Sequence, residues 1–295
     1  MVVDGERHHE GFDLTSADLL AALEAGHKVT TSQPAPAAFA RAYAHAVERG
    51  AREIVSVHLS GELSGTVRAA ELAALAASVP VHVVDSRTVA MGLGFAAVAA
   101  AELVAQPTLA GRRHLGRSRP ADGVGGDGPT VEGHVVDGAS AAERARRVAA
   151  STSTLFLLDS LDHLRRGGRI GAGAAAMGTL LGLRPLLAVR SGRIEVVEKV
   201  RTRRAARERL EALTVKDVRA RTSARIAVHH LGQPEAAALL ARELAERLGA
   251  GVARVDASGV DVSEISVSEI SVSEISAVIA AHVGPGLLAV VVGDR

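Results

Sequence analysis

The residues of this sequence best suited to chemistry are hydroxyl side chains in three short loops. The loops cover residues 30–34, 60–66 and 85–88, with the sequences TTSQP, SGELSGT and DSRT. Hydroxyls and helix N-terminal amides together bind anionic oxygen groups. Because loops at the carboxyl ends of parallel strands meet in one crevice, three such loops favour an anion site. The alternative is that each hydroxyl only caps its own helix.

Other catalytic patterns are weak. A nucleophile elbow requires Gly-x-Ser-x-Gly, whereas two residues separate Gly61 from Ser64. The histidine pairs at 8–9 and 229–230 are adjacent residues, which point to different sides in a strand and rarely bind one metal together. These patterns therefore favour neither a serine hydrolase nor a metal site.

The segment from Gly171 to Ala176 matches the dinucleotide fingerprint Gly-x-Gly-x-x-Ala. The fingerprint has to follow a strand directly, because the phosphate binds at the helix N-terminus beyond the strand's carboxyl end. Here it follows Arg-Arg-Gly-Gly-Arg-Ile, which is not a strand pattern. Close helix packing explains these small residues, and a nucleotide-dependent small-molecule enzyme is kept as the alternative function.

The elements that position the first three loops alternate between helix and strand, which predicts a mostly parallel α/β sheet in residues 1–150. Helices are expected at 15–25, 36–49, about 66–77 and 91–105, and strands at 54–59 and 81–85. Residues 106–138 are rich in Gly, Arg, Pro and Asp, and we interpret them as a flexible surface insertion. Ser140 is expected to cap a helix that ends near residue 150.

A second α/β domain is predicted for residues 151–295. Its predicted strands are 154–158, 185–189, 194–200, 225–229, 277–281 and 287–292. Its predicted helices lie near 161–166, between Gly171 and about residue 181, near 203–213 and near 234–248. The five residues Val-Ser-Glu-Ile-Ser occur three times in succession from Val262 to Ser276. A period of five fits neither helix nor strand, so we expect a duplication that lengthens a peripheral loop.

Composition excludes several classes of protein. The formal net charge is +1, which gives no overall field for nucleic acid, and only four Phe and one Tyr are available for base stacking. There are no cysteines, so disulfides and thiolate sites are excluded. The sequence has neither a run of 18 apolar residues nor a secretion signal, which favours a cytoplasmic protein without a transmembrane segment.

Seven segments of the chain resemble the DegV family of fatty-acid-binding proteins, in family order. They are Thr31-Ser-Gln-Pro-Ala-Pro36, Leu63-Ser-Gly-Thr66, Val84-Asp-Ser-Arg-Thr-Val-Ala-Met-Gly92, Leu157-Leu-Asp-Ser-Leu-Asp-His-Leu-Arg-Arg-Gly-Gly-Arg-Ile170, Leu183-Arg-Pro-Leu-Leu187, Lys199-Val-Arg-Thr-Arg203 and His282-Val-Gly-Pro-Gly286. The resemblance implies two α/β domains with a ligand tunnel between them. The implied ligand is a long-chain fatty acid, and the implied partner is a fatty acid kinase.

The resemblance also implies roles for particular residues. The fatty-acid carboxylate would meet Thr31, Ser64 and His282. Further candidate pocket residues are Ser32, Ser60, Gly65 and Ser86. Arg169 and Arg201 would serve kinase docking or stabilise the transferred phosphate. The partner would supply ATP and Mg²⁺ and phosphorylate the carboxylate to an acyl phosphate for phospholipid synthesis, so this chain would not be the catalyst.

Three features depart from the family pattern. The family usually begins with a strand and an Asp-Ser-Thr loop, whereas this chain begins at a later point of the pattern. We therefore expect that the first sheet lacks its usual first strand or that the coding start lies upstream. The insertion at 106–138 and the five-residue repeat are expected to be peripheral to ligand binding.

Overall fold

The chain forms a seven-stranded sheet with helices on both faces and two smaller sheets near its N-terminal half. The computed structural model describes residues 1–105, 136–170, 184–249, 251–254 and 269–295. The predicted α/β fold class is confirmed in this mixed arrangement.

The first half contains two small sheets and five helices within its described residues. Its elements are β1 (Val2–Val3), β2 (Glu6–Arg7), α1 (Ser16–Glu24), β3 (Val29–Thr30), α2 (Pro36–Glu48), β4 (Ile54–His58), α3 (Thr66–Ala74), β5 (Val81–Asp85), α4 (Met91–Ala105) and α5 (Gly138–Ser151). Strands β4 and β5 are parallel, as alternation of strand and helix predicts. Strand β1 lies between β2 and β3 and is antiparallel to both, which was not anticipated.

The second half builds the large sheet. Its elements are β6 (Ser153–Leu157), α6 (Asp162–Arg166), β7 (Arg184–Arg190), β8 (Arg193–Val200), α7 (Arg203–Arg219), β9 (Arg225–His230), α8 (Pro234–Leu248), β10 (Gly251–Arg254), β11 (Glu269–Glu274), α9 (Ala277–Val283) and β12 (Leu288–Gly293). The strand order is β10-β11-β9-β12-β6-β7-β8. Strands β10, β11 and β9 are parallel, and β12 is antiparallel to both of its neighbours.

Alternating side chains divide the large sheet between two cores. Helices α7 and α8 cover one face, where Val228 and Val290 are fully or almost fully buried. Helices α1, α6 and α9 pack on the other face, around Phe156 and Ala289. Helices α4 and α5 connect this second face to the β4–β5 pair, because their alanines contact both Val84 and Val291.

Local sequence signals explain where several helices begin and end. Thr15 and Asp18 form the predicted capping box of α1. Pro36 begins α2 in the first helical turn, where its missing N–H is not needed. Gly249 ends α8 with a backbone φ of 67°, a conformation that glycine adopts at little cost.

The predicted strand at 277–281 is wrong, because these residues begin α9. An apolar run of this length fits either structure on pattern alone. In the fold, Ala277, Ala280 and Ala281 are buried at the i, i+3 and i+4 spacing of a helix face. The strand that precedes α9 along the chain is β11, which lies in the repeat.

Two further predictions need correction. The N-cap of α5 is Asp137, whose carboxylate accepts a hydrogen bond from the backbone N–H of Ser140 at 2.7 Å, so Ser140 is not the cap. The repeat is not wholly peripheral, since Glu269–Glu274 forms β11 between β9 and β10, and Ile270 is fully buried. A loop interpretation failed because strand pairing, rather than the sequence period, decides this segment.

The division into domains at residue 150 stays a prediction. Helix α1 from the first half packs against α9 from the second, so the two halves of the sequence share one core. Most of the predicted insertion, residues 106–135, lies outside the described residues.

Candidate functional site

A cavity of about 330 Å³, which we call the interior cavity, is enclosed by residues from both halves of the chain. Its apolar wall comes mainly from the large sheet and the helices that cover it. This wall includes Leu59, Leu63, Val89, Ala90, Phe156, Leu164, Val189, Ile194, Ile275, Val278, Ile279, Val283, Leu287, Ala289 and Val291. An apolar wall that is mostly aliphatic, with Phe156 as its one phenyl ring, suits a flexible apolar ligand rather than a flat one.

The polar residues of the cavity form one contiguous group. They are Thr31, Ser32, Gln33, Ser64, Thr66, Arg169 and His282, with buried Thr154 standing apart. Ser32, Gln33 and Gly65 are exposed, whereas Phe156 and Val291 are buried. The polar group therefore marks the mouth of the cavity, and the apolar wall forms its interior.

Thr31 and His282 are directly hydrogen-bonded at the mouth. Thr31 Oγ1 lies 2.7 Å from His282 Nε2, although 251 positions separate the two residues. Thr31 directly follows β3, and His282 is in the last turn of α9. The packing of α1 on α9 and the pairing of β3 with β1 bring these two ends together.

The surroundings of His282 disfavour the charged form of its imidazole. Burial lowers its pKa, and the nearby positive charge of Arg169 lowers it further. A Cβ on residue 167 would lie 2.9 Å from His282 Nδ1, so only glycine leaves the ring its place. A neutral ring beside Thr31 can orient the hydroxyl without adding a full positive charge to the mouth.

Ser64 lies on the opposite side of this polar group, at the start of α3. Its Oγ is 2.7 Å from Thr66 Oγ1 and accepts a weaker bond from the Thr66 backbone N–H at 3.3 Å. Gly65 is the N-cap residue of α3, and a Cβ there would lie 1.8 Å from the side-chain oxygen of Gln33. Glycine at 65 thus lets Gln33 cover the loop.

Arg169 joins the two halves of the mouth. Its Nε donates to the carbonyl of Leu63 at 3.2 Å, and its Nη1 donates to the carbonyl of Gly167. The guanidinium is therefore held in place while its charge faces the cavity. This arrangement gives the mouth one cation, four hydroxyl side chains and one imidazole.

The structure brings most of the predicted site residues to this mouth, but not all of them. Thr31, Ser32, Ser64, Gly65, Arg169 and His282 line the cavity. Ser60 does not, because its buried hydroxyl donates to the carbonyl of Gly192 at 2.7 Å. Ser86 is likewise buried in its own turn, where its hydroxyl faces Thr88. Arg201 is exposed beyond the end of β8 and lies outside the cavity wall.

Ser60 belongs to a group of contacts between the two halves of the chain, which we call the clasp. It comprises the contacts of Ser60 with Gly192, of Arg87 with Ser191 and of Glu62 with Arg193. The clasp holds the β7–β8 turn, since Arg87 Nη2 donates to the Ser191 carbonyl at 2.6 Å and Arg193 pairs with Glu62 at 2.7 Å. Val189 and Ile194, on either side of this turn, both line the cavity. The clasp therefore fixes one wall of the cavity rather than its polar mouth.

Sequence reasoning missed the whole apolar wall and two polar residues of the mouth. Gln33 and Thr66 lie within the hydroxyl-rich loops, so the loop pattern contained the signal for them. Ile275 lies in the last copy of the repeat, and its place in the wall follows only from the tertiary fold.

The alternative nucleotide segment, Gly171 to Ala176, lies outside the described residues. Within the described ranges, no three His, Asp or Glu side chains gather as metal ligands. In the same ranges, no helix has the length and apolar character needed to cross a bilayer.

The fold and the interior cavity define a mixed α/β protein with an apolar ligand cavity and a polar mouth. A family model described as "Uncharacterised protein, DegV family" matches residues 1–108 and 136–294. The chain belongs to the DegV family. Residues 109–135, within the predicted insertion, fall outside the match.

Individual relatives agree with this assignment. A DegV domain-containing protein of Streptomyces coelicolor is 43% identical over 296 residues, covering 100% of this chain and 89% of that protein. A solved structure described as fatty acid binding of a DegV family protein from Thermus thermophilus is 31% identical, with a TM-score of 0.74, and covers 99% of this chain and 89% of that one. Bacillus subtilis DegV, described as a fatty acid binding protein, has a TM-score of 0.76 at 24% identity over 100% of this chain and 89% of its own.

Proposed function

We propose that this protein binds a long-chain fatty acid in the interior cavity and presents its carboxylate to a fatty acid kinase. The observation that carries the proposal is the separation of the cavity into a buried apolar interior and an exposed mouth, where Thr31 meets His282. The acyl chain would occupy the interior, and the carboxylate would meet Thr31, Ser64 and His282.

The physical chemistry of the cavity supports an amphipathic ligand. Burying a methylene contributes about 0.8 kcal/mol, so a chain of about 15 methylenes contributes on the order of 12 kcal/mol as an upper estimate. The mouth then needs only to satisfy the carboxylate with hydrogen-bond donors. Hydroxyls can do so while leaving the carboxylate oxygens more available than a bidentate arginine pair would.

Relatives support the same ligand. The Thermus thermophilus structure is described as fatty acid binding and shares nearly a third of its sequence with this chain. Thr31 and His282 at the mouth both lie within the ranges that the family model matches. The ligand class is transferred on this similarity together with the shape of the cavity.

The kinase step assigns catalysis to the partner. An ATP-binding kinase would transfer the γ-phosphoryl group to a carboxylate oxygen, releasing ADP and leaving an acyl phosphate in the cavity for phospholipid synthesis. Arg169 at the mouth and exposed Arg201 are the residues proposed to dock the kinase or stabilise the phosphate. The proposal places the protein in the cytoplasm, where the kinase has access to ATP.

Thermal stabilisation of delipidated protein tests the ligand class. A ligand that binds only the folded state raises the melting temperature with its concentration. We expect hexadecanoate to stabilise the protein more than hexadecanol, which has the same chain length without the carboxylate. Equal stabilisation by both would contradict a binding site for the carboxylate. Stabilisation by ATP or NAD alone would favour the nucleotide-dependent enzyme.

A further inference from the structure

A second concave site of about 340 Å³ lies on the other face of the seven-stranded sheet. Neighbouring residues of a strand point to opposite faces of the sheet. Accordingly, Phe156 and Ala289 line the interior cavity, whereas their neighbours Leu157 and Leu288 line the second site. We call it the arginine pocket. Its polar and charged residues are Asp159, Arg184, Arg203, Arg204, Arg207 and Gln233.

The arginine pocket carries four guanidinium groups and one carboxylate in its wall. The carboxylate is shared: Asp159 Oδ1 accepts from Arg184 Nη1 at 2.9 Å, and Oδ2 accepts from Arg203 Nη2 at 2.8 Å. One negative charge thus holds two cations in fixed positions. The geometry leaves donors on both guanidiniums for a further anion, because each has five N–H groups.

The other two arginines have partners outside the wall. Arg204 pairs with Glu208 at 2.8 Å along α7, and Arg207 pairs with Glu243 of α8 at 3.2 Å. Neither glutamate lines the pocket. With these two glutamates and Asp159 counted, four arginines face three carboxylates, so the arginine pocket and its ion-pair partners carry one net positive charge. A concave surface of one sign concentrates counter-ions of the other.

The acidic residue of the pocket, Asp159, is closely packed against Gly286. Gly286 has a φ of 85°, and a Cβ at this position would lie 2.4 Å from the Asp159 carboxylate. Only glycine gives Asp159 room to bridge Arg184 and Arg203. The bridge is thus specified by a residue far away in sequence and is not a casual surface contact.

We propose that the arginine pocket binds a phosphate or diphosphate group. Guanidinium groups match phosphate oxygens in pairs, and the N–H donors of four arginines match the several oxygens of a phosphate or diphosphate better than the two oxygens of a carboxylate. The first turns of α7 and α8 also face the pocket through Arg203, Arg204 and Gln233, which adds favourable dipoles. The size of the pocket suits a small headgroup rather than an extended polymer.

The phosphate has two sources that share this chemistry. It can belong to a soluble phosphorylated molecule, or to the headgroup of an anionic phospholipid at a membrane surface. Pyrophosphate represents the first source, and vesicles containing phosphatidic acid represent the second, with phosphatidylcholine vesicles as the reference.

The test compares the whole protein with a double variant, Arg204→Gln with Arg207→Gln, which leaves the Asp159 bridge intact. Arg41→Gln with Arg49→Gln is the matched control, because both arginines are exposed, one on α2 and one at its C-cap, and the net charge changes equally. Calorimetry with pyrophosphate at constant ionic strength should show about tenfold weaker binding for the pocket variant. Flotation with vesicles that contain phosphatidic acid measures binding to a lipid headgroup. The control should match the wild type.

Each result decides the proposal. Loss of pyrophosphate binding in the pocket variant alone supports a soluble phosphate ligand, and loss of flotation with phosphatidic acid alone supports a lipid headgroup. Equal loss in the pocket and control variants, or binding of neither probe by the wild type, overturns the proposal. Bound fatty acid should stay the same in all variants, so failure of the proposed function would be seen separately.

Discussion

At the scale of single residues, the mouth of the cavity combines the hydroxyls proposed to hold a carboxylate with the imidazole of His282. Removing both hydroxyls with Thr31→Ala and Ser64→Ala leaves the headgroup short of partners, which costs about 1–3 kcal/mol for an unsatisfied buried group. We expect fatty-acid affinity to fall roughly 5- to 150-fold. Titration of delipidated protein with a fluorescent fatty acid measures the loss.

The matched control for this pair removes two hydroxyls elsewhere. Ser140 and Thr222 are exposed and lie outside the cavity wall, so Ser140→Ala with Thr222→Ala should bind as the wild type does. A double mouth variant with unchanged affinity would show that Thr31 and Ser64 do not hold the carboxylate.

Arg201 is proposed to act in the kinase step and not in holding the ligand. It is exposed and outside the cavity wall, so Arg201→Ala should keep its fatty acid but fail to support acyl phosphate formation with a kinase and ATP. Arg201→Lys should restore little activity, because a point charge does not replace a planar fork. Both properties are measured on one preparation. If Arg201→Ala loses lipid as completely as the double mouth variant, the division of roles is wrong.

His229 makes stability depend on pH. Its Nε2 accepts from the backbone N–H of Met91 at 3.4 Å and its Nδ1 lies 3.0 Å from Ser273 Oγ, and burial lowers its pKa to about 4. The unfolded chain takes up this proton near pH 6.5 and the folded chain does not, so stability falls as pH decreases from 6.5 towards 4. At pH 5 the loss is about 2 kcal/mol relative to neutral pH.

Urea unfolding at pH 7.5 and pH 5 measures this effect. His229→Gln should reduce the difference between the two pH values, because the amide does not titrate. Replacing exposed His45 by Gln should leave the difference unchanged. An unchanged pH dependence in His229→Gln would mean that other groups cause it.

At the scale of elements, most helices and strands follow from the sequence, and the failures have tertiary causes. The parallel pair β4–β5 and the β7–β8 hairpin lie where periodicity predicts them. The sequence Ala-Val-Ile-Ala-Ala of α9 fits both a strand and a helix until its neighbours are known, so the predicted strand is wrong. The predicted loop at β11 is wrong because the pairing of Ser273 with His229, 44 positions earlier, is not a local property.

The repeat provides a test of β11. Its three copies are identical, so deleting one copy leaves the same ten residues immediately before α9. We expect that deletion to change stability little, whereas Ile270→Ala should cost about 2–5 kcal/mol, because Ile270 is fully buried. Urea unfolding compares the two variants. A deletion as destabilising as Ile270→Ala would show that all three copies are needed.

At the scale of the whole molecule, the sequence predicts the family and the ligand class but not the construction of the site. Seven segments in family order identify the relationship, and the family model confirms it. The contact between Thr31 and His282 could not be derived from local patterns, because it depends on α1 packing against α9. The placement of Ser60 in the clasp rather than the mouth was beyond sequence reasoning for the same reason.

The central claim is that one long-chain fatty acid occupies the interior cavity. The most direct measurement is denaturing extraction of the natively purified protein followed by lipid mass spectrometry, quantified per mole of chain. The account predicts close to one acyl chain per protein, and a clear decrease in the Thr31→Ala, Ser64→Ala variant but not in its Ser140→Ala, Thr222→Ala control. A folded wild-type protein that carries no acyl chain, and takes up none when fatty acid is supplied, would contradict it.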